Sequence, residues 1–453
     1  MTPSLARWFA RSAAASVLVL AASACAPGSE SEEVTETSAS DVETDVSAMG
    51  DLTLTVWDQE VRGGQNEQIE ALNEKFMQTY PNVTIERVSR SFEDLNKTLR
   101  LAITSNDAPD VVQANNGRSI MGAFVEAGQL RSLDGYSDVY GWEERFTEEI
   151  RALASYSDDG VTFGDGSLYG VPQTGELVGV WYSQSRLDDL GIEAPQTTAE
   201  FEDALAAAAE GGETPIQFGN KEGWPGIHDF GFVQNQFVPA DQIRDLGFGV
   251  EGASWTSAEN EQAAETIAGW AEQGYFTDGF NGLDYDPAWQ AFAEGEGAFL
   301  VAGTWLLADL TDAMGDDLRF MLPPVGATGE LAVTGGTGLP FAITASSEQA
   351  DAAAAYLDFI TSPEAMVGIG EAGNLPVYGA GSLPADGATA DVLDAWATAG
   401  EQAAIVPYLD YATPDFYDLL TAQVQDLLAG SQPPDDFLAT LEEEYTAFTS
   451  SGG

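Results

Sequence analysis

Cysteine, histidine and lysine are nearly missing from this 453-residue chain, which has only Cys25, His228 and the three lysines Lys75, Lys97 and Lys221. A lone cysteine excludes an intrachain disulfide and any cysteine-rich metal site. A lone histidine excludes a multi-histidine metal cage. Sixteen Lys+Arg stand against 74 Asp+Glu, a formal net charge of −58, so no basic stripe exists for a nucleic-acid backbone or an anionic membrane surface. Long apolar runs are also missing, and the longest, over residues 13–22, is shorter than the ~20 residues a bilayer span needs. The chain does have core material: 44% hydrophobic and 10% aromatic residues rule out wholesale disorder. Its length exceeds the ~250–300 residues at which a single core stops growing, so two domains are expected.

Residues 1–24 read as a secretory signal peptide, with Arg7 and Arg11 ahead of the apolar run. The run ends in Ala22-Ser23-Ala24-Cys25. This resembles a bacterial lipoprotein signal, which implies that Cys25 is lipidated and becomes the mature N-terminus; Ala22 stands where that pattern most often has leucine. An ordinary secretory signal followed by a chance cysteine is the plain alternative. Residues 26–50 carry seven acids and no base, a composition that does not offset its ordering entropy. Residues 26–50 are therefore expected to be an acidic, disordered tether, behind the lipidated Cys25 that the lipoprotein resemblance implies, so that 25–50 form one anchoring segment. That places the protein on the extracellular face of the cell membrane.

From residue 51 onward strand and helix patterns alternate. Leu52-Thr53-Leu54-Thr55-Val56-Trp57 reads as a strand, 65–80 as a helix closed by Pro81, 83–88 as a strand and 92–104 as a helix. Pro109-Asp110-Val111-Val112-Gln113 starts a third strand. Units of this length predict an α/β fold with a mainly parallel sheet. Residues 158–170, rich in Gly and Asp, read as a hairpin, and Thr197-x-x-Glu200 as a capping box. Residues 333–344 read as a Gly-rich strand pair, Ser346-x-x-Gln349 as a helix cap, and the tail as two amphipathic helices.

Five segments resemble the extracellular solute-binding proteins of ABC importers, in particular the oligosaccharide-binding family that includes maltose-binding protein. The first strand and helix are one. Ala108-Pro109-Asp110-Val111-Val112 with Gly128-Gln129-Leu130 and Leu133-Asp134 is the second. Leu168-Tyr169-Gly170-Val171-Pro172 with Trp181-Tyr182-Ser183 is the third, and Phe292-x-x-Gly295-x-Gly297-Ala298-Phe299 with Gly303-Thr304-Trp305 the fourth. Leu322-Pro323-Pro324-Val325 with Gly335-Gly336 and Ser362-Pro363-Glu364 is the fifth. The resemblance spans roughly residues 51–450. It implies a two-lobed, periplasmic-binding-protein-like α/β fold with a ligand cleft and a hinge, lobe 1 holding 51–170 plus 342–377 and lobe 2 holding 175–335 plus 380–453. It further implies capture of a neutral di- or oligosaccharide and its delivery to membrane permease subunits, by a monomer without cofactor or metal.

A cleft at the carboxyl ends of the parallel strands singles out Trp57 and Gln59 after the first strand, and Asn115 and Asn116 after the third. Sugar recognition needs flat aromatic faces for the C–H face of a pyranose and polar groups for its hydroxyls. Trp57, Tyr182, Trp224, Trp289 and Trp305 are candidate platforms. Trp224 stands out in Gly223-Trp224-Pro225-Gly226, a loop-like composition, whereas Trp270 and Trp396 sit at helical spacing and read as core. Asn115, Asn116, Glu176, Asp286 and Asn374 are candidate hydroxyl partners. Gly336 and Thr337, in a turn without the lysine of a phosphate loop, offer backbone approach or a tight turn. Arg118 is the one nearby base that suits a phosphorylated ligand.

No catalytic residue is assigned. A Ser-His-Asp triad would need His228, and no Gly-x-Ser-x-Gly elbow accompanies it; closeness to Trp224 puts His228 beside the cleft or on the surface. The alternative is a secreted glycoside hydrolase, since two carboxylates beside aromatic platforms describe such a site too.

Overall fold

The computed structural model describes residues 37–105 and 108–451; the signal segment, Cys25 and the start of the acidic stretch lie outside the described residues. Strand β1 (Leu52–Asp58) turns Leu54, Val56 and Asp58 inward, the period of a half-buried strand. Helix Gly63–Thr79 buries Ile69, Leu72 and Phe76 at helical spacing. β2 (Val83–Ser89) pairs parallel with β1, from Leu52 opposite Val83 to Asp58 opposite Ser89. Ser91 caps helix Phe92–Ala102, and β3 (Val111–Gln113) then pairs parallel with β1 on its other side.

The Gly- and Asp-rich hairpin forms from β4 (Ser155–Tyr156) and β5 (Ser167–Leu168). β6 (Gly175–Ser183) is buried along its whole length and is the spine of a second sheet. β7 (Phe299–Gly303) and β8 (Leu318–Met321) run antiparallel to its later residues, and β9 (Val333–Thr337) antiparallel to its first ones. β10 (Phe341–Ile343) lies antiparallel to β3, so the first sheet has the order β10-β3-β1-β2. β11 (Ile405–Val406) pairs parallel with β9. The first sheet is thus mainly parallel, as the strand and helix spacing predicts, and the second is mainly antiparallel.

β9 and β10 are not partners, contrary to the strand pair expected over 333–344. Only residues 338–340 separate them, yet they belong to different sheets, so this stretch is a crossing. Two more crossings run beside it. Val171 bridges Phe341, Thr174 bridges Pro376, and the Gly175 N–H donates to the Leu375 carbonyl at 2.9 Å. The outcome is a two-lobed α/β molecule built on the two larger sheets, with the β4–β5 hairpin as a small third one.

The capping box of Thr197 and Glu200 opens helix Thr198–Gly211. The one expected at Ser346 and Gln349 does not form. Instead the Ser347 hydroxyl donates to Asp110 at 2.6 Å and accepts from the Gln349 N–H, ahead of helix Ala350–Ile360. Residues 37–50 also depart from the expected tether, because they pack on the first lobe. Val46 is fully buried, Asn82 donates to the Val46 and Gly50 carbonyls at 2.9 and 2.8 Å, and the Glu43 N–H donates to Asp351 at 3.1 Å. One apolar anchor and borrowed backbone partners suffice to order a segment whose average composition is that of a solvated chain.

Candidate functional site

Between the sheets lies a cavity with about 670 Å³ of space, its mouth included. Its wall is built from strand ends and helix starts, as expected for the carboxyl edge of an α/β sheet. Gln59 follows β1, Asn115 follows β3, Glu176 lies in β6, Trp305 follows β7 and Thr337 ends β9. Arg62 and Gln65 come from the start of the first helix, and Phe92 from the start of the second. Helix Trp224–Gln234 contributes Trp224, Ile227 and His228 from its first turns. Leu339 comes from the crossing after β9. Tyr408, Asp410, Tyr411 and Tyr417 come from the segment after β11. A wider outer cleft of about 2040 Å³ shares Arg62, Phe92, Asn115, Trp224 and Tyr417 with the cavity.

Aromatic rings dominate this wall. Trp224 lies 4.4 Å from Tyr285 and 6.1 Å from Trp305 between ring centroids. His228 lies 5.5 Å from Trp305 and 5.2 Å from Tyr408. Both indole N–H groups are satisfied outside the cavity, Trp224 by Glu93 at 2.6 Å and Trp305 by the Tyr285 hydroxyl at 2.8 Å. Neighbouring side chains therefore set the orientation of both rings in this conformation. Arg62 donates to Asp286 at 3.0 Å, so an ion pair and the Trp224–Glu93 bond both cross from the first-sheet side to the second.

Burial sets the charge of the wall. It pushes the Glu60 carboxyl up to about 7 against a 2.8 Å hydrogen bond from Gln113. Burial and then the Glu60 charge push Glu176 up to about 7, while the Tyr408 hydroxyl, donating at 3.1 Å, pulls it back. Asp410 is pushed up to about 7 by burial against a hydrogen bond from Asn115. Burial drives His228 down to about 3, so its imidazole is neutral, and Nδ1 has no partner among the described residues. The wall thus offers ring faces, amides and carboxyls at one place. A ligand with one apolar face and many hydroxyls matches that set.

Of the residues singled out in the sequence, Gln59, Asn115, Glu176, Trp224, Trp305 and Thr337 line the cavity, and Asp286 lines the outer cleft. The others do not line it. Trp57 lies under the Arg90 guanidinium, 4.9 Å from its ring centroid. Tyr182 is buried in the second sheet, in the core around β6. Trp289 is buried in a core cluster and donates to Asp286 at 2.9 Å. Asn116 points its amide at the Leu153 carbonyl. Asn374 donates to Gln68 at 2.7 Å and to the Gly64 carbonyl. Gly336 packs against Leu153 in β9. Arg118 serves structure, donating to the carbonyls of Val161, Ala412 and Phe248.

Sequence reasoning missed Arg62, Gln65, Phe92, Ile227, Leu339, Tyr408, Asp410, Tyr411 and Tyr417. The stretch Pro407-Tyr408-Leu409-Asp410-Tyr411 did carry a signal, aromatic and acidic residues packed together without helical or strand period. Phe92 sits directly after the Ser91 cap, where a helix start faces a cleft.

A family model of bacterial extracellular solute-binding proteins matches residues 63–367. The "Multiple sugar-binding protein" of Streptococcus mutans is 21% identical over 67% of this chain and 70% of its own length. A solved structure described as a "Chitin oligosaccharide binding protein" superposes with a TM-score of 0.75 at 21% identity, over 88% of this chain and 99% of its own. One from work on xylan utilization by the thermophilic bacterium Caldanaerobius polysaccharolyticus gives 0.75 at 22% identity, over 86% and 99%. These likenesses show the fold, and the two-lobed topology, the crossings and the cleft agree with it. Given the match over residues 63–367, the chain belongs to the family of bacterial extracellular solute-binding proteins.

Proposed function

We propose that the protein is the carbohydrate-capturing component of an ABC importer, binding a di- or oligosaccharide and handing it to membrane permease subunits. The observation that carries this reading is the cavity wall itself, where the faces of Trp224 and Trp305 stand beside Gln59, Asn115, Glu176 and Asp410. The sugar-related relatives support it. In this reading residues 51–170 plus 342–377 and residues 175–335 plus 380–453 are lobes that close on the ligand, a population shift toward the state in which both walls touch it. Lipidation at Cys25 tethers the protein outside the membrane.

A thermal-shift screen against a panel of mono-, di- and oligosaccharides tests the central claim. A bound sugar raises the melting temperature by mass action, about 2.7 kcal/mol of added stability at a hundred times Kd. A panel without effect, or catalytic turnover of a sugar in place of stoichiometric binding, overturns the reading. Cys25→Ala separately tests the anchor: the variant is released into the medium, and retention in the membrane fraction removes Cys25 from that role.

A further inference from the structure

The cavity wall carries acids whose carboxyl groups take no hydrogen bond from a base among the described residues. Glu176 and Asp410 line it, and Glu60 is close enough for its charge to act on Glu176, with Oε2 buried and without a hydrogen-bond partner among the described residues. The groups that bond these carboxyls are uncharged: Tyr408 for Glu176, Asn115 for Asp410, Gln113 for Glu60. Among the lining residues the one cation is Arg62, whose charge reaches Glu176 and Glu60 but whose guanidinium is held by Asp286 at 3.0 Å. His228 is neutral, and Asp229 beside it is a further buried acid. Asp58 shows the contrast, since it is equally buried but takes two hydrogen bonds from Arg87 at 2.6 and 2.8 Å. Burying carboxyls without a counter-charge is costly unless protons or a bound cation neutralise them.

Two further features of the same wall point to a ligand. Thr337 is 3% exposed, lines the cavity, and its hydroxyl has no partner among the described residues. The rings of Trp224, Trp305, Tyr408 and Tyr411 surround the same space, and aromatic faces attract a cation as well as a C–H surface.

We infer that the cavity takes an amino sugar, a pyranose bearing an ammonium group that sits against Glu176 and Asp410 while a tryptophan face covers the ring. This rests on the carbohydrate reading above and departs from the neutral ligand expected from sequence. The carboxyls take up protons below about 7, so acid removes the charge that attracts the ammonium.

Titration calorimetry on the full chain tests this with glucosamine and its β-1,4-linked disaccharide, against the counterparts bearing an N-acetyl or a hydroxyl group at the same carbon. At about pH 7.5 the amine binds about tenfold tighter than the hydroxyl counterpart, as one added charged hydrogen bond gives, and the advantage shrinks at about pH 5.5. Asp410→Asn and Glu176→Gln each lower the ratio of amine to hydroxyl affinity, with circular dichroism melts confirming that the variants fold. Equal or tighter binding of the neutral counterparts overturns the amino-sugar assignment and leaves the carbohydrate reading standing. Failure of these sugars and of the wider panel overturns both. An unchanged ratio in the folded variants overturns the placement of the ammonium.

Discussion

Trp224 shows how a single side chain is prepared for a ligand. Its N–H is tied to Glu93 across the cleft and its ring lies against Tyr285 on its own side, so the indole is held in one orientation in this conformation. Trp224→Ala therefore weakens sugar binding by about 1–3 kcal/mol, the size of a lost buried aromatic contact, which calorimetry reads as a higher Kd with little change in fold. Wild-type affinity in the variant takes Trp224 out of the site. The sequence marked this residue because a large aromatic in a Gly-Trp-Pro-Gly context has little reason to be core. It misplaced Trp57 and Tyr182, since alternation along a strand defines two sides without saying which one meets a cleft. Only the fold puts Arg90 over one and core around the other.

At the level of elements, the end of β7 depends on Gly303. Its φ of −83° suits any residue, but a Cβ there would come within 2.0 Å of the Trp305 ring. Gly303→Ala thus keeps the strand and displaces Trp305. Affinity is expected to fall by as much as in Trp224→Ala, with a changed tryptophan emission; unchanged emission and affinity would show that the ring moves aside freely. The first sheet was legible because its signals are local: alternation in β1, helical spacing after it, a cap at Ser91. The antiparallel second sheet was not, because β6 finds β7, β8 and β9 far away along the chain and short apolar strands carry no mark of partner or direction. The same limit divided the cavity. Residues at strand ends could be picked in advance, whereas Tyr408, Asp410, Tyr411 and Tyr417 reach it only through the chain's late return to the second lobe.

For the whole molecule, buried acids and surface acids act differently. Glu60, Glu176 and Asp410 titrate near 7 in the folded protein, above their unfolded values, so the stability they contribute is present in acid and lost as pH rises through 7. His228, lowered to about 3, acts in the opposite sense, its contribution being lost as pH falls below about 6.5. Three acids outweigh one imidazole. The ligand-free protein should melt a few degrees higher near pH 6 than near pH 8, each acid contributing at most about 1.4 kcal/mol per pH unit; a flat profile by differential scanning calorimetry would contradict this. The surface answers to salt instead. Without residues 1–24 the chain carries 14 bases against 74 acids, and raising salt from 0.1 to 1 M shortens screening from about 10 Å to 3 Å. Melting temperature should therefore climb with salt at fixed pH, and equal stability in dilute buffer would count against self-repulsion as a major cost. The crossings have a mechanical consequence of their own. A cut at residues 338–340 leaves a late fragment that still supplies β10 to one sheet and β11 to the other. The two pieces are interleaved like fingers, so a nicked molecule should run as one body on a sizing column and part only when both sheets come undone.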